Sequence, residues 1–112
     1  MKTINWQDAE KLKNPHGVDI RRIYDAEIAQ VAHIFLNPNE ELKKHVTPVD
    51  VIFYVLEGTG IVEVGKEKME VKEGTLIESP AKIPHCWYNK SDSALRILVT
   101  KIPRPTNPTK VL

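Results

Sequence analysis

Four histidines and one cysteine are the side chains in this sequence best suited to act as neutral-pH bases, nucleophiles or metal ligands. His85, Cys86 and Trp87 are consecutive. Along a strand neighbouring side chains face opposite ways, so His85 and Trp87 share one face and Cys86 looks away from both. Cys86 then reads as a small buried hydrophobe. Trp87 either lines a pocket or fills the core, and can do both. Glu78 sits between Ile77 and Ser79 in an otherwise apolar run. If buried, its carboxylate needs a partner or a raised pKa, which makes it the one stray candidate for a catalytic acid or base; an exposed strand edge is the simpler expectation. His33 lies in another apolar run and reads as a hydrogen-bonded residue rather than a ligand. His16, between Pro15 and Gly17, reads as a solvated loop residue. Arg21 and Arg22 put one guanidinium on each face of a strand, and a salt bridge is the expected use of the inward one.

Short β-type runs separated by turn signals must position these groups. Residues 18–24, 28–36, 50–57, 60–64, 68–71, 75–79, 85–89 and 94–102 read as strands, and 60–64 with 68–71 reads as a hairpin across Gly65-Lys66-Glu67. Eight strands with almost no helix predict an all-β sandwich or barrel. Residues 1–17 are a polar lead-in, with a short helix expected over 8–13, stopped by Asn14-Pro15 and Gly17. Trp6 is expected to close one end of the barrel. Residues 103–112 carry Pro103, Pro105 and Pro108 and predict an extended tail that cannot continue a sheet interior. The whole of 1–112 reads as one domain.

Two clusters, Asn39 to Gly58 and Gly74 to Asn89, carry a family resemblance. Their spacing resembles the two motifs of the cupin superfamily. In the first, Asn39, His45, Thr47, Val51 and Gly58 stand where cupins have Gly, His, His, Glu and Gly. In the second, Gly74, Pro80, Lys82, His85 and Asn89 stand where they have Gly, Pro, Gly, His and Asn. Fifteen residues separate Gly58 from Gly74, similar to the short spacing of small microbial cupins. The resemblance implies a cupin-like double-stranded β-helix, a jelly-roll barrel, with an interior pocket at Thr47, Val51, Phe53 and Trp87. It also implies one divalent metal, zinc, nickel, iron or manganese, held by three histidines and a glutamate. Only His45 and His85 of that set remain, and two imidazoles leave a coordination shell open. Asp50 adjoins Val51 but faces the other way unless a bulge turns it inward. Lys82 fits a glycine position poorly, so the turn before His85 is expected to differ from the family's. Two readings stay open: a barrel that binds a small polar or anionic molecule and catalyses nothing, and a metal-dependent enzyme of dioxygenase, isomerase or decarboxylase type using His45 and His85. A metal-free enzyme with a histidine base is a variant of the second.

The formal net charge of +1 gives no electrostatic case for nucleic acid as a partner. No apolar run approaches the ~20 residues needed to cross a bilayer, so no membrane partner is expected. With a single cysteine no internal disulfide is possible, and a cytoplasmic setting is expected. The run Val51 to Leu56 is apolar on both faces, and a second subunit is the expected cover for its outer face. The chain should therefore sediment at micromolar concentration as a homodimer, and Tyr54→Asp or Leu56→Asp should dissociate it before unfolding it. A monomer mass for the parent would remove this expectation.

Overall fold

Alternating side-chain patterns do resolve into strands, in a computed structural model that describes all of residues 1–112. One sheet is built from β1 (Asp19–Ala26), β2 (Ala29–Leu36), β4 (Asp50–Glu57), β7 (Leu76–Ser79) and β9 (Leu95–Ile102). The other holds β3 (Glu41–Val46), β5 (Thr59–Val64), β6 (Glu67–Lys72), β8 (His85–Tyr88) and β10 (Lys110–Val111). Strand order is β1-β2-β9-β4-β7 in the first sheet and β10-β3-β8-β5-β6 in the second, and all pairings are antiparallel. The inward residues of both sheets, among them Leu36, Leu42, Phe53, Val55, Trp87, Leu95 and Ile97, form one apolar core.

The motif turns keep one backbone geometry whatever residue occupies them. Gly58 and Gly74 have φ of 86° and 89°, and Asn39 and Lys82, standing at glycine positions, have φ of 70° and 66°. At Gly58 a Cβ would lie 2.3 Å from the Ala94 carbonyl oxygen, so only glycine fits. At Lys82 the lysine itself takes the left-handed conformation, so the turn has the positive φ that a glycine would adopt most easily. The Lys82 N–H bonds the Thr47 carbonyl at 2.9 Å, and the Asp50 carboxylate accepts the Ala81 N–H at 2.8 Å. Asp50 thus braces this turn from outside and stays exposed.

Three further elements differ from the sequence reading. β3 was not expected, because its inward residues Leu42 and His45 are three apart instead of two. Opposite them, Trp87 and His85 are two apart, so β3 carries one extra residue, a bulge that breaks the alternation. The helix expected over 8–13 is a single 3-10 turn at Trp6–Asp8, followed by an isolated bridge from Lys11 to Arg21. Arg21 explains the change. Held by Asp19, its guanidinium donates to the carbonyls of Trp6, Gln7 and Ala9, acceptors that a helix would need. Trp6 does not close the barrel end. It stacks on His33 at 3.9 Å on the outer face of the first sheet, flanked by Arg21 and Arg96. Finally, the proline-rich tail returns as edge strand β10, pairing Lys110 with Val46 and Val111 with His45.

On β4 burial alternates: Val51, Phe53 and Val55 are buried, while Ile52 and Leu56 are half-buried and Tyr54 exposed on the outer face.

Candidate functional site

A cavity of ≈180 Å³ opens at one end of the barrel between the two sheets. Its lining is mostly apolar, with Ile34, Leu42, Phe53 and Val99 among it, and is completed by two segments from opposite ends of the chain. Asn14, Pro15 and His16 come from the lead-in, and Thr109 and Val111 from the tail. Between these lie His45, Thr47, His85 and Lys101.

The bulge in β3 organises the imidazoles. His45 and His85 are cross-strand neighbours, with ring centroids 4.3 Å apart. His16 packs edge-on to His45 at 5.0 Å. Lys43, inside the bulge, donates its N–H to His16 Nδ1 at 2.8 Å, and its carbonyl accepts from His45 Nδ1 at 2.6 Å. A carbonyl can only accept and an N–H can only donate, so both tautomers follow. His45 carries its proton on Nδ1, and neutral His16 carries its proton on Nε2. His85 is held differently: Ser79 Oγ lies 2.7 Å from its Nδ1 and Thr47 Oγ1 lies 3.4 Å from its Nε2. Burial pushes all three pKa values down. His85 falls to about 3 and His16 to about 4, each further lowered by His45, while His45 falls despite its bond to the Lys43 carbonyl.

Lys101 supplies the cavity's only formal charge, since its lining contains no Asp, Glu or Arg. The residue continues the inward alternation of Leu95, Ile97 and Val99 on β9, and sits across from Val51. Its ammonium forms no salt bridge. It donates to Thr109 Oγ1 at 3.3 Å, and Thr109 lies 3.5 Å from Thr47. Burial, and secondarily Arg22, hold its pKa below the ordinary lysine value of 10.5.

Of the residues singled out from sequence, the cavity gathers His45, His85, Thr47, Val51 and Phe53. Trp87 is fully buried beneath it, edge-on to Phe53 at 5.5 Å, and fills the core instead of lining the pocket. Glu78 is exposed, on the outer face opposite Ile52, and takes no part. Cys86 is buried on the far face of β8 against Tyr88, with its thiol pKa raised by burial. His33 accepts from Arg96 Nε at 3.0 Å under Trp6, far from a ligand role. His16 is not a solvated loop residue; it is half-buried at the cavity mouth. Lys101 and Thr109 were missed. Alternation along β9 was the signal for Lys101, and nothing local marks Thr109.

The comparisons agree with this architecture. Residues 32–101, more than half of the chain, match the family model for the cupin domain. This chain is a cupin. It is 42% identical over 62 residues to the uncharacterised protein MJ1618 of Methanocaldococcus jannaschii, a match covering 55% of this chain and 49% of that protein. The matched region thus spans about half the length of this curated relative. Among solved structures, TT1209 of Thermus thermophilus superposes with a TM-score of 0.80 at 29% identity, covering 94% of this cupin and all of that chain (100%). The polyketide cyclase RemF of Streptomyces resistomycificus superposes with a TM-score of 0.83 at 22% identity, covering 100% of this cupin and 85% of that chain, a likeness of fold.

The metal that cupins often bind does not fit the side chains of this cupin. No group of three or more His, Cys, Asp or Glu side chains is gathered closely enough to hold an ion. Both ring nitrogens of His85 face hydroxyls, and the cavity lining contains no carboxylate. The Lys101 ammonium in the same cavity repels a cation.

The lowered histidine pKa values fix how stability should depend on pH. A base that binds its proton less readily when folded leaves the unfolded chain holding more protons between the two pKa values. His85, ordinary value 6.5 and about 3 when folded, therefore contributes its full stability above 6.5 and loses it as pH falls toward 3. The loss from this one residue is at most about 1.4 kcal/mol per pH unit, and His33, about 4 when folded, acts in the same direction. Denaturant unfolding at pH 7.5, 6 and 5 should show a steady fall in stability that is shallower in His85→Asn. Equal stability at pH 7.5 and 5 would contradict it.

Proposed function

We propose that this cupin binds a small organic anion, a carboxylate on a compact apolar body, inside the barrel. One observation carries the reading: Lys101 is a part-buried cation that shares its cavity with no acidic residue. An ammonium drawn away from water without a counter-ion costs free energy, and a bound carboxylate returns it. The hydroxyls of Thr47 and Thr109 lie beside that charge and can donate to the carboxylate's remaining lone pairs. The apolar walls at Ile34, Phe53 and Val99 suit a short hydrocarbon body, and ≈180 Å³ limits its size. With the histidines held neutral by burial, the positive charge at neutral pH is that of Lys101.

The reading extends to assembly and setting. The outer face of β4 and β7, where Tyr54 and Leu76 are 40% and 53% exposed, is the surface we assign to a second copy of the chain. Cys86, buried and unpaired, suits a reducing, cytoplasmic compartment. No helix is long and apolar enough to cross a membrane.

Calorimetric titration with acetate, butyrate, pyruvate and benzoate tests the site. At least one should bind, and its uncharged amide should bind more weakly. Lys101→Met keeps much of the stem's packing while removing the charge, and should lose about tenfold or more in affinity, equal to about 1.4 kcal/mol. Without ligand that variant should be as stable as the parent or more so, because a poorly solvated charge is gone. Equal carboxylate affinity in parent and Lys101→Met would overturn the assignment.

A further inference from the structure

Resting on the anion-binding reading, we propose that the cavity is also a metal-free active site for proton transfer at the carbon next to a carbonyl, and that its substrates are small 2-oxo acids. Four features of the site converge on this.

The first is a free base. His45 directs its Nδ1–H to the Lys43 carbonyl, so Nε2 presents a lone pair, and that nitrogen makes no hydrogen bond within the protein. Nor is it sealed in the core as an orphan, unlike His33 Nδ1 and Trp87 Nε1. The other two cavity imidazoles cannot take this role as they stand. Both nitrogens of His85 face hydroxyls, and His16 accepts the Lys43 N–H on Nδ1, which leaves it a donor at Nε2. The bulge in β3 therefore selects one ring as the acceptor.

The second feature is an electrophilic partner for the charge that develops. A 2-oxo acid carries its carboxylate and its keto oxygen on one edge, close enough to share a single ammonium and its neighbouring hydroxyls. Lys101 and Thr109 provide that combination. The third is a run of polar atoms that holds the ammonium's hydroxyl partner in place. From Lys101 a line of polar atoms runs through Thr109, Thr47 and His85 to Ser79, with separations of 3.3, 3.5, 3.4 and 2.7 Å. The fourth is shielding. Asn14, Pro15, His16, Thr109 and Val111 complete a largely apolar lining, inside which charge interactions are less screened than in water.

The step balances without a cofactor. His45 Nε2 takes the proton from C3 of the 2-oxo acid as the C3–H bond breaks. That electron pair forms the C2–C3 double bond, and the carbonyl pair moves onto the C2 oxygen, whose negative charge is paired with the Lys101 ammonium. The protonated His45 exchanges that proton with solvent, from which Nε2 is not sealed, and delivers a solvent proton to C3, giving exchange, or to the oxygen, giving the enol. A weak base suffices here because the developing oxyanion is stabilised by a preplaced cation and hydroxyls.

Proton NMR in D2O tests the proposal with pyruvate and 2-oxobutyrate as probes. The full chain should speed loss of the C3 proton signal beyond the buffer rate. His45→Gln should slow it about 100-fold or more while still binding the oxo acid by calorimetry, which also reports that the variant is folded. Lys101→Met should lose binding and exchange together. An oxo acid that binds the parent but exchanges no faster than in buffer would overturn the catalytic proposal and leave the binding site standing. So would exchange at the parental rate in His45→Gln. If neither oxo acid nor any simple carboxylate binds, both the binding reading and this one fall.

Discussion

An ammonium in an apolar cavity, with no carboxylate near it, is the constraint around which this site is arranged. Lys101 arrives there because β9 alternates: Leu95, Ile97 and Val99 point inward, and the next inward position is lysine. Its local partner is a threonine from the far end of the chain, and its charge adds to burial in lowering the pKa of His45 and His85. In many cupins this region receives a cation. Here a cation is already covalently attached, and Val51, which faces Lys101 across the β4–β9 ladder, stands where the motif resemblance would put a carboxylate. An apolar residue at that place, beside a resident ammonium, is what favours an anion over a cation in the proposed binding site.

Backbone irregularities hold the remaining groups. The one-residue bulge in β3 places the N–H and C=O of Lys43 on two different imidazoles, fixing the tautomer of each. The left-handed turn at Lys82 brings β8 back into register so that His85 meets His45, and its N–H is tied to the carbonyl of Thr47, another cavity residue. Asn89, fully buried, pins the other end of β8 by donating to the carbonyls of Leu36 and Ser93. At each device the freed polar groups named here have partners, which limits what the departure from regular pairing costs.

Much of this fold could be read from residue order alone. Every strand except β3 and β10 declares itself as a short β-type run between turn signals, β4 even though it is apolar on both faces, and the motif spacing located His45, Thr47, Val51 and His85. What escaped did so for definable physical reasons. β3 hid because its bulge breaks the period that alternation arguments rely on. The lead-in looked helical because local pattern cannot foresee Arg21, a residue of β1, capturing its carbonyls. Thr109 sits in a proline-rich tail whose return to the barrel depends on tertiary pairing of two residues with β3. Lys101 was legible in principle, but a lysine next to the end of a strand reads as solvated unless the inward register is followed to its last residue.

The central claim is that Lys101 is a desolvated cation awaiting an anion, and its own titration measures that most directly. Carbon-13 NMR of the lysine ε-carbons, with Lys101 assigned by its disappearance in Lys101→Met, gives the ammonium pKa in the free protein and with a saturating small carboxylate. The account predicts a midpoint below 10.5 in the free protein, as burial demands, and a rise once the carboxylate is bound. A midpoint at the ordinary lysine value that no carboxylate moves would contradict it.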